Sequence, residues 1–159
     1  MKNSNKKVVL QKLTVDQADF LYDLYTHPGL AAGFDSSPFL ENETPLQFTR
    51  RIISACAYIY SIRPAGNPDL LIGECALHGW DKQKQQVEIG GSLLPDYWGN
   101  GYMPAAFELL MRIAKHQLGV KTVISRTNIK NLRAIRAVQK IGFVRCNEEG
   151  NETILYRPV

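Results

Sequence analysis

Long apolar runs, cysteine and charge of one sign are all scarce in this sequence of 159 residues, and each scarcity excludes a class of protein. No stretch of about 18 apolar residues occurs, so no membrane-spanning helix is predicted. Met1–Lys7 is polar and basic and lacks the apolar centre of a secretory signal, which argues against export and for the cytoplasm. The three cysteines, Cys56, Cys75 and Cys146, are odd in number and widely spaced. They form neither a disulfide framework nor a zinc site, and they read as small apolar residues in a reducing compartment. No metal is expected. The net charge is +4, from 19 basic and 15 acidic side chains. That imbalance suits an anionic ligand but is too mild to indicate nucleic acid. Repeats, low-complexity tracts and interdomain linkers are also missing, so residues 1–159 are expected to form a single domain.

With 45% apolar and 21% charged residues, the chain has the composition of a globular protein. Val8–Leu13 alternates as a strand does. Thr14 and Gln17 form a capping box for a helix running to about Thr26, with Ala18, Leu21, Leu24 and Tyr25 inward, and His27-Pro28-Gly29 breaks it. After the mildly acidic loop Gly33–Glu43, Thr44-Pro45-Leu46-Gln47 is a second capping box with proline at the first helical position. Leu46, Ile53 and Ala57 are predicted to continue its apolar side. Tyr58–Arg63, Leu70–His78 and Gln86–Leu94 read as an antiparallel meander. A later helix, with Pro104 in its first turn, shows Ala106, Leu109, Leu110, Ile113 and Gln117 at helical spacing and stops at Gly119. Val120–Thr127 is a strand, and Asn131 caps a helix with Ala134, Ile135, Val138 and Ile141 inward. Two strands, about Phe143–Asn147 and Thr153–Arg157, close the chain around the Gly150-Asn151 turn. The order is β-α-α-β-β-β, a glycine loop, then α-β-α-β-β, which calls for a mixed sheet.

The loop Tyr97-Trp98-Gly99-Asn100-Gly101-Tyr102 lies between a strand and a helix start. Glycines there let backbone N–H groups converge, and the helix dipole favours an anion. A P-loop is excluded, because no Gly-Lys-Ser/Thr occurs. A dinucleotide fingerprint needs a third glycine where Pro104 stands, and an acidic residue where the next strand ends Ser125-Arg126-Thr127-Asn128.

The segment from Val87 through Glu88, Gly90, Gly91, Leu93, Leu94 and the glycine loop resembles the acetyl-CoA-binding motif of the GNAT N-acetyltransferase superfamily. It is most similar to the branch of ribosomal-protein N-terminal (alanine/serine) acetyltransferases and some aminoglycoside acetyltransferases. Asn131–Phe143 resembles the second signature of that family, and the span from Val87 to Phe143 that holds both is over a third of the chain. The resemblance implies a GNAT fold. That is an α/β (α+β mixed) architecture with one largely antiparallel sheet of six or seven strands, about four helices, and a splay of Ile89–Leu94 from Val120–Thr127. It implies acetyl-CoA as cosubstrate, with its pyrophosphate on the amides of Trp98, Gly99, Asn100, Gly101, Tyr102 and Met103. It also implies the pantetheine arm along the strand edge near Leu93 and Leu94, and a hydrogen bond from Asn131. Trp98 and Met103 depart from the usual residues at their motif positions, and Pro104 lacks an N–H.

Acetyl transfer to an amine moves two protons: an alkylammonium must lose one before attack, and the leaving thiolate can take one. The family places a glutamate where Glu88 stands, and alternation puts Glu88, Gly90 and Ser92 on one face. Glu88 is therefore the expected base. Relatives carry a tyrosine acid seven residues after the asparagine, where this chain has Val138. Tyr156, Ser125 or water is left to supply that proton, and His78 could relay one, although a structural histidine is the commoner case. By analogy, the acceptor, a small-molecule or peptide amine, would meet Tyr25–Glu43, Leu70–Trp80 and the closing hairpin. Asp35, Glu41 and Glu43 would be there to attract a cation. The rival reading is a non-catalytic acyl-CoA-binding regulatory domain. A homodimer is compatible with either.

Overall fold

The computed structural model describes residues 3–31, 33 and 37–159. One mixed sheet, largely antiparallel, runs through it. Its strands are β1 (Asn3–Ser4), β2 (Val8–Lys12), β3 (Cys56–Pro64), β4 (Gly73–Asp81), β5 (Gln86–Leu93), β6 (Thr122–Asn128), β7 (Val144–Glu149) and β8 (Glu152–Pro158). They lie in the order β1-β2-β3-β4-β5-β6-β8-β7, and the β5–β6 pair is parallel. The helices are α1 (Ala18–Thr26), α2 (Pro28–Ala31), α3 (Pro45–Ala55), α4 (Tyr102–Gln117) and α5 (Leu132–Lys140). This is the expected GNAT architecture with one more strand and one more helix than predicted.

Both additions are too short to leave a periodic signal. The Asn5 side chain accepts from the amides of Lys7 and Val8, at 2.9 Å each, and so folds β1 back onto β2. His27-Pro28-Gly29 ends α1 as expected, with His27 extended, and the chain then makes one further helical turn, α2. Pro28 has no N–H to satisfy, and Leu30 and Ala31 both donate to the carbonyl of His27 at 2.9 Å.

The sheet separates two cores by simple alternation. On one face, Val8, Leu10, Ile62, Cys75 and Val87 pack with α4 through Ala106, Leu110 and Ala114. On the other, Leu13, Ile59 and Ala76 pack with Leu21 and Leu24 of α1 and Phe48 of α3. Phe48 is fully buried, its ring 5.5 Å from Tyr25 and 4.3 Å from Phe39. Burial of such a side chain stabilises the fold by about 1.5–3 kcal/mol.

Both capping boxes form as read. The first opens a 3-10 turn, Val15–Gln17, that runs into α1. In the second, Thr44 Oγ1 accepts from the Gln47 amide at 3.1 Å, and Gln47 Oε1 accepts from the Thr44 amide at 3.0 Å. The inward face of α3 differs from the prediction. Leu46 is exposed and Ala57 belongs to β3, whereas Phe48 and Thr49 are buried. Thr49 tolerates this because its hydroxyl donates to the Pro45 carbonyl at 2.8 Å. Gln117, at the end of α4, is likewise exposed.

The second capping box is a measurable element. Thr44→Ala is expected to lower stability by about 1 kcal/mol, and Thr44→Gly by only a few tenths. The drop appears as a lower urea midpoint with an unchanged slope.

Candidate functional site

Three residue pairs join β5 to β6: Gln86 with Thr122, Val87 with Val123, and Glu88 with Ile124. Beyond Glu88 the two strands part, while β5 stays paired with β4 as far as Leu93, and β6 with β8 as far as Asn128. The β5 edge from Ile89 onward therefore faces an opening. At its wide end lies the glycine loop.

That loop begins with a 3-10 turn, Pro95–Tyr97. The Trp98 indole then donates to the Leu93 carbonyl at 2.8 Å and folds the chain back to the end of β5. The Leu94 amide donates to the Ile72 carbonyl at 2.8 Å, so these two groups are engaged within the chain. Gly99 and Gly101 have φ of 77° and 79°, the left-handed region that favours glycine, and a Cβ on either would meet open space. Gly101 caps α4 without any side-chain hydrogen bond, and the first amide to find a partner is that of Ala105, 3.2 Å from the Gly101 carbonyl. Among the described residues, no backbone carbonyl accepts from the amides of Gly99, Asn100 and Gly101. Those of Tyr102 and Met103, in the first turn of α4, precede any intrahelical acceptor. A run of unpartnered amides at a helix N-terminus is a cradle for an anion such as a pyrophosphate, and this loop fits one. The Arg133 guanidinium sits 3.5 Å over the Trp98 ring and ties the start of α5 to the loop.

On the α1/α3 face of the sheet is a pocket of about 270 Å³. Its floor is set by register: Glu74 lies opposite Ser92, Ala76 opposite Gly90, and His78 opposite Glu88. Gly90 raises no side chain on this face, so the pocket reaches the β5 backbone just where β5 loses β6. Ile52, Ala55 and Ile59 supply apolar walls. Glu74 is 3% exposed, and its Oε1 accepts from the Tyr25 hydroxyl at 2.7 Å. Burial pushes the Glu74 carboxyl up to about 7, against the opposing effect of that hydrogen bond. Burial, and then the nearby Glu74, raise the Tyr25 phenol well above its usual value and the Cys56 thiol to about 11.

Glu88 stands at the pocket's outer rim. Its Oε1 is ion-paired with Arg126, which also contacts Glu149 at 3.0 Å, and its Oε2 lies 3.6 Å from His78 Nδ1. Glu88, Gly90 and Ser92 share the pocket face. Tyr156 pairs with Ile124, which pairs with Glu88, so it is on that same face but two strands away, roughly 10 Å at the backbone. Ser125 is buried on the opposite face, in line with Val123. Asn131 caps α5, accepting from the Ala134 amide at 3.2 Å, and its side-chain NH2 has no partner among the described residues. Val138 is buried in the α4-side core.

Asp35 lies outside the described residues. Glu41 is exposed. Glu43 forms a two-point pair with Arg51 at 2.8 Å and accepts from the Leu40 amide, and its carboxyl is lowered to about 2, chiefly by Arg51. It fastens the loop before α3 and is neutralised there. Sequence reasoning missed Glu74, Arg126 and Arg133. Only Glu74 left a sign, as an acid at an inward position within the apolar run Leu70–Leu77.

A model of the acetyltransferase (GNAT) domain family matches residues 7–144. No curated protein sequence matches the chain at a significant level. Among solved structures, an acetyltransferase (GNAT family) from Bacillus anthracis is similar, with TM-score 0.78 and 18% identity, covering 99% of this chain and 98% of that one. Spermidine N-acetyltransferase from Vibrio cholerae, solved with CoA and spermine, gives TM-score 0.79 at 15% identity over 97% and 96% of the two chains. A protein from Vibrio cholerae, provisionally described as a ribosomal-protein-serine acetyltransferase, gives 0.77 at 14% identity over 100% and 98%.

The buried carboxyl sets a pH signature. The unfolded chain releases this proton near the ordinary value of 4.5, and the folded protein near about 7. Tyr25 and Cys56, both pushed up, stay neutral through that window. The folded state binds the extra proton, so stability is fully present below 4.5 and falls as pH rises to about 7, by at most about 3 kcal/mol. Glu74→Gln removes that loss. It should unfold at higher urea than the parent at pH 8, with a smaller difference at pH 5; an identical difference at both would exclude a buried titrating carboxyl.

Proposed function

The chain belongs to the GNAT acetyltransferase family, whose members use acetyl-CoA as the acetyl donor, and from that membership we propose that it acetylates a primary amine by direct attack in a ternary complex. One observation carries the reading: the unpartnered amides from Gly99 to Met103 lie at the wide end of the opening between β5 and β6. In this reading those amides hold the CoA pyrophosphate. Asn131 offers its side-chain NH2 to the cofactor arm, and the β5 edge near Leu93 and Leu94 guides that arm towards Glu88. The acceptor enters from the opposite side, through the pocket under α1 and α3. The two meet at Gly90, where no side chain intervenes on the pocket face.

The amine must reach the thioester without its extra proton. Glu88 is the proposed acceptor of that proton, through Oε2, directly or by way of His78 Nδ1. Arg126 holds Oε1 and fixes the carboxylate over the pocket face. Once the amine nitrogen bonds the acetyl carbon, the carbon–sulfur bond breaks, and the thiolate takes a proton from Tyr156, Ser125 or water. Of the two side chains, Tyr156 shares the face of Glu88. Proximity supplies much of the rate in such a reaction, and backbone donors stabilise the oxyanion.

Two acceptors are suggested by similar proteins: a polyamine, as for the spermidine enzyme, and a protein N-terminus, as for the ribosomal-protein branch. A second reading, a non-catalytic acyl-CoA-binding domain, draws on Val138, a buried aliphatic where relatives carry the acid tyrosine. Free-thiol release from acetyl-CoA, measured over a panel of alkylamines, polyamines and peptides beginning with Ala or Ser, separates the two. Turnover on any of them supports the transferase; CoA binding with no turnover on the panel supports the second reading. Within the transferase, Glu88→Gln is expected to lower turnover by about 10²–10⁴-fold at pH 7 and by less at pH 9, where more of the amine is already deprotonated. An equal loss at both removes Glu88 as the base.

A further inference from the structure

Glu74 is a buried carboxylate without a cation. No Lys or Arg lines its pocket, and it takes part in no ion pair among the described residues. Tyr25 satisfies Oε1 alone; Oε2 receives no hydrogen bond from the described residues. A charge buried this way is costly unless a counter-ion arrives. The surrounding walls, Ile52, Ala55, Ile59 and Ala76, are apolar. They cannot serve the amide groups of a peptide, which would be left unpaired on entry. At about 270 Å³ the space falls just below the range of drug-sized ligands, roughly 300–1,000 Å³. It suits something slim: a cationic tip on a hydrocarbon stem.

The same strand carries His78 at the other end of the pocket, beside Glu88. Four residues of regular strand separate Glu74 from His78, roughly 13 Å along β4. About 3 Å at each end goes to a hydrogen bond, which leaves roughly 7 Å between two ligand nitrogens. An extended chain of four or five methylene groups spans that gap. We propose that the pocket takes a short terminal diamine, one ammonium held by Glu74 beside Tyr25, and the other nitrogen presented at Gly90 to the Glu88–His78 end. Glu74 is then a specificity residue: it selects an acceptor with a second cation and takes no part in the proton transfer. The proposal rests on the transferase reading and narrows its acceptor.

Calorimetric titration of the whole protein with diaminobutane and with butylamine tests it without requiring turnover. The parent should bind the diamine about tenfold or more tightly than the monoamine, the difference expected of one charge-assisted hydrogen bond. Glu74→Gln should abolish that preference, weakening the diamine more than butylamine, whose one ammonium can still use the Glu88–His78 end. Tyr25→Phe should weaken diamine binding by a smaller factor, since the Glu74 carboxyl remains in place. Where turnover is followed, the loss in Glu74→Gln should appear in KM for the diamine, with kcat nearly kept. A merely structural role would change both amines alike. Equal binding of the two amines by the parent, or an undiminished preference in Glu74→Gln, overturns the proposal. Thiol release from butylamine or a peptide together with either result sinks the diamine site alone. No thiol release from any amine sinks the transferase reading instead.

Discussion

The parallel ladder between β5 and β6 ends after three residue pairs, and the rest of the molecule's chemistry depends on that early end. Parallel strands need a crossover, and here the crossover is the glycine loop and α4, so the loop necessarily lies at the end of β5. Each strand keeps its outer partner along its length, β4 for β5 and β8 for β6. The sheet can therefore part in the middle without unravelling. Parting leaves peptide groups on the β5 edge without a ladder, and such groups require water or a ligand. The Trp98 indole on the Leu93 carbonyl and the Arg133 guanidinium over Trp98 bring the loop and the start of α5 to the mouth of the opening. In the proposed reading, a slot for an extended arm and a cradle for its phosphates are thus made by one local failure of pairing.

Two pairs of glycines serve this arrangement in different ways. Gly99 and Gly101 are needed for their positive φ, which turns successive amides outward; space around them is ample. Gly90 and Gly91 are extended strand residues whose value is the missing side chain. A Cβ on Gly91 would press the Glu74 carbonyl at 2.8 Å and Met103 at 3.1 Å. One consequence concerns Met103, which departs from the small residue usual in the family motif. The absence of a side chain at Gly91 makes the room that its sulfur occupies.

What could be read from the sequence was local. Both capping boxes, the glycine stops and the two family segments act over a few residues, and each appears where the sequence places it. The additional strand and helix were too short to show a period. Glu74 with Tyr25 is a pairing 49 residues apart in the chain, and Arg126 with Glu88 is one 38 apart; the packing of α1 on the sheet makes the first, and the pairing of β5 with β6 makes the second. The acidic loop shows the reverse error. Glu43 looked like an attractor for a cation, but Arg51, eight residues on, already holds it. Local charge counts cannot tell a free carboxylate from a neutralised one.

This distinction is what separates Glu74 from every other acid near the pocket. Glu43 and Glu88 are each ion-paired with a guanidinium. Among the described residues Glu74 has only a phenol, which supports the charge weakly while burial opposes it. The fold would be more stable at neutral pH with a neutral isostere there, because the burial cost has no internal compensation. A carboxyl in that state responds strongly to an incoming cation, since the ligand removes a penalty already present in the empty protein. Binding energy of that kind is available only to ligands that bring positive charge to the end of an apolar pocket. The discrimination therefore lies less in the contacts made than in the desolvated charge left waiting for them.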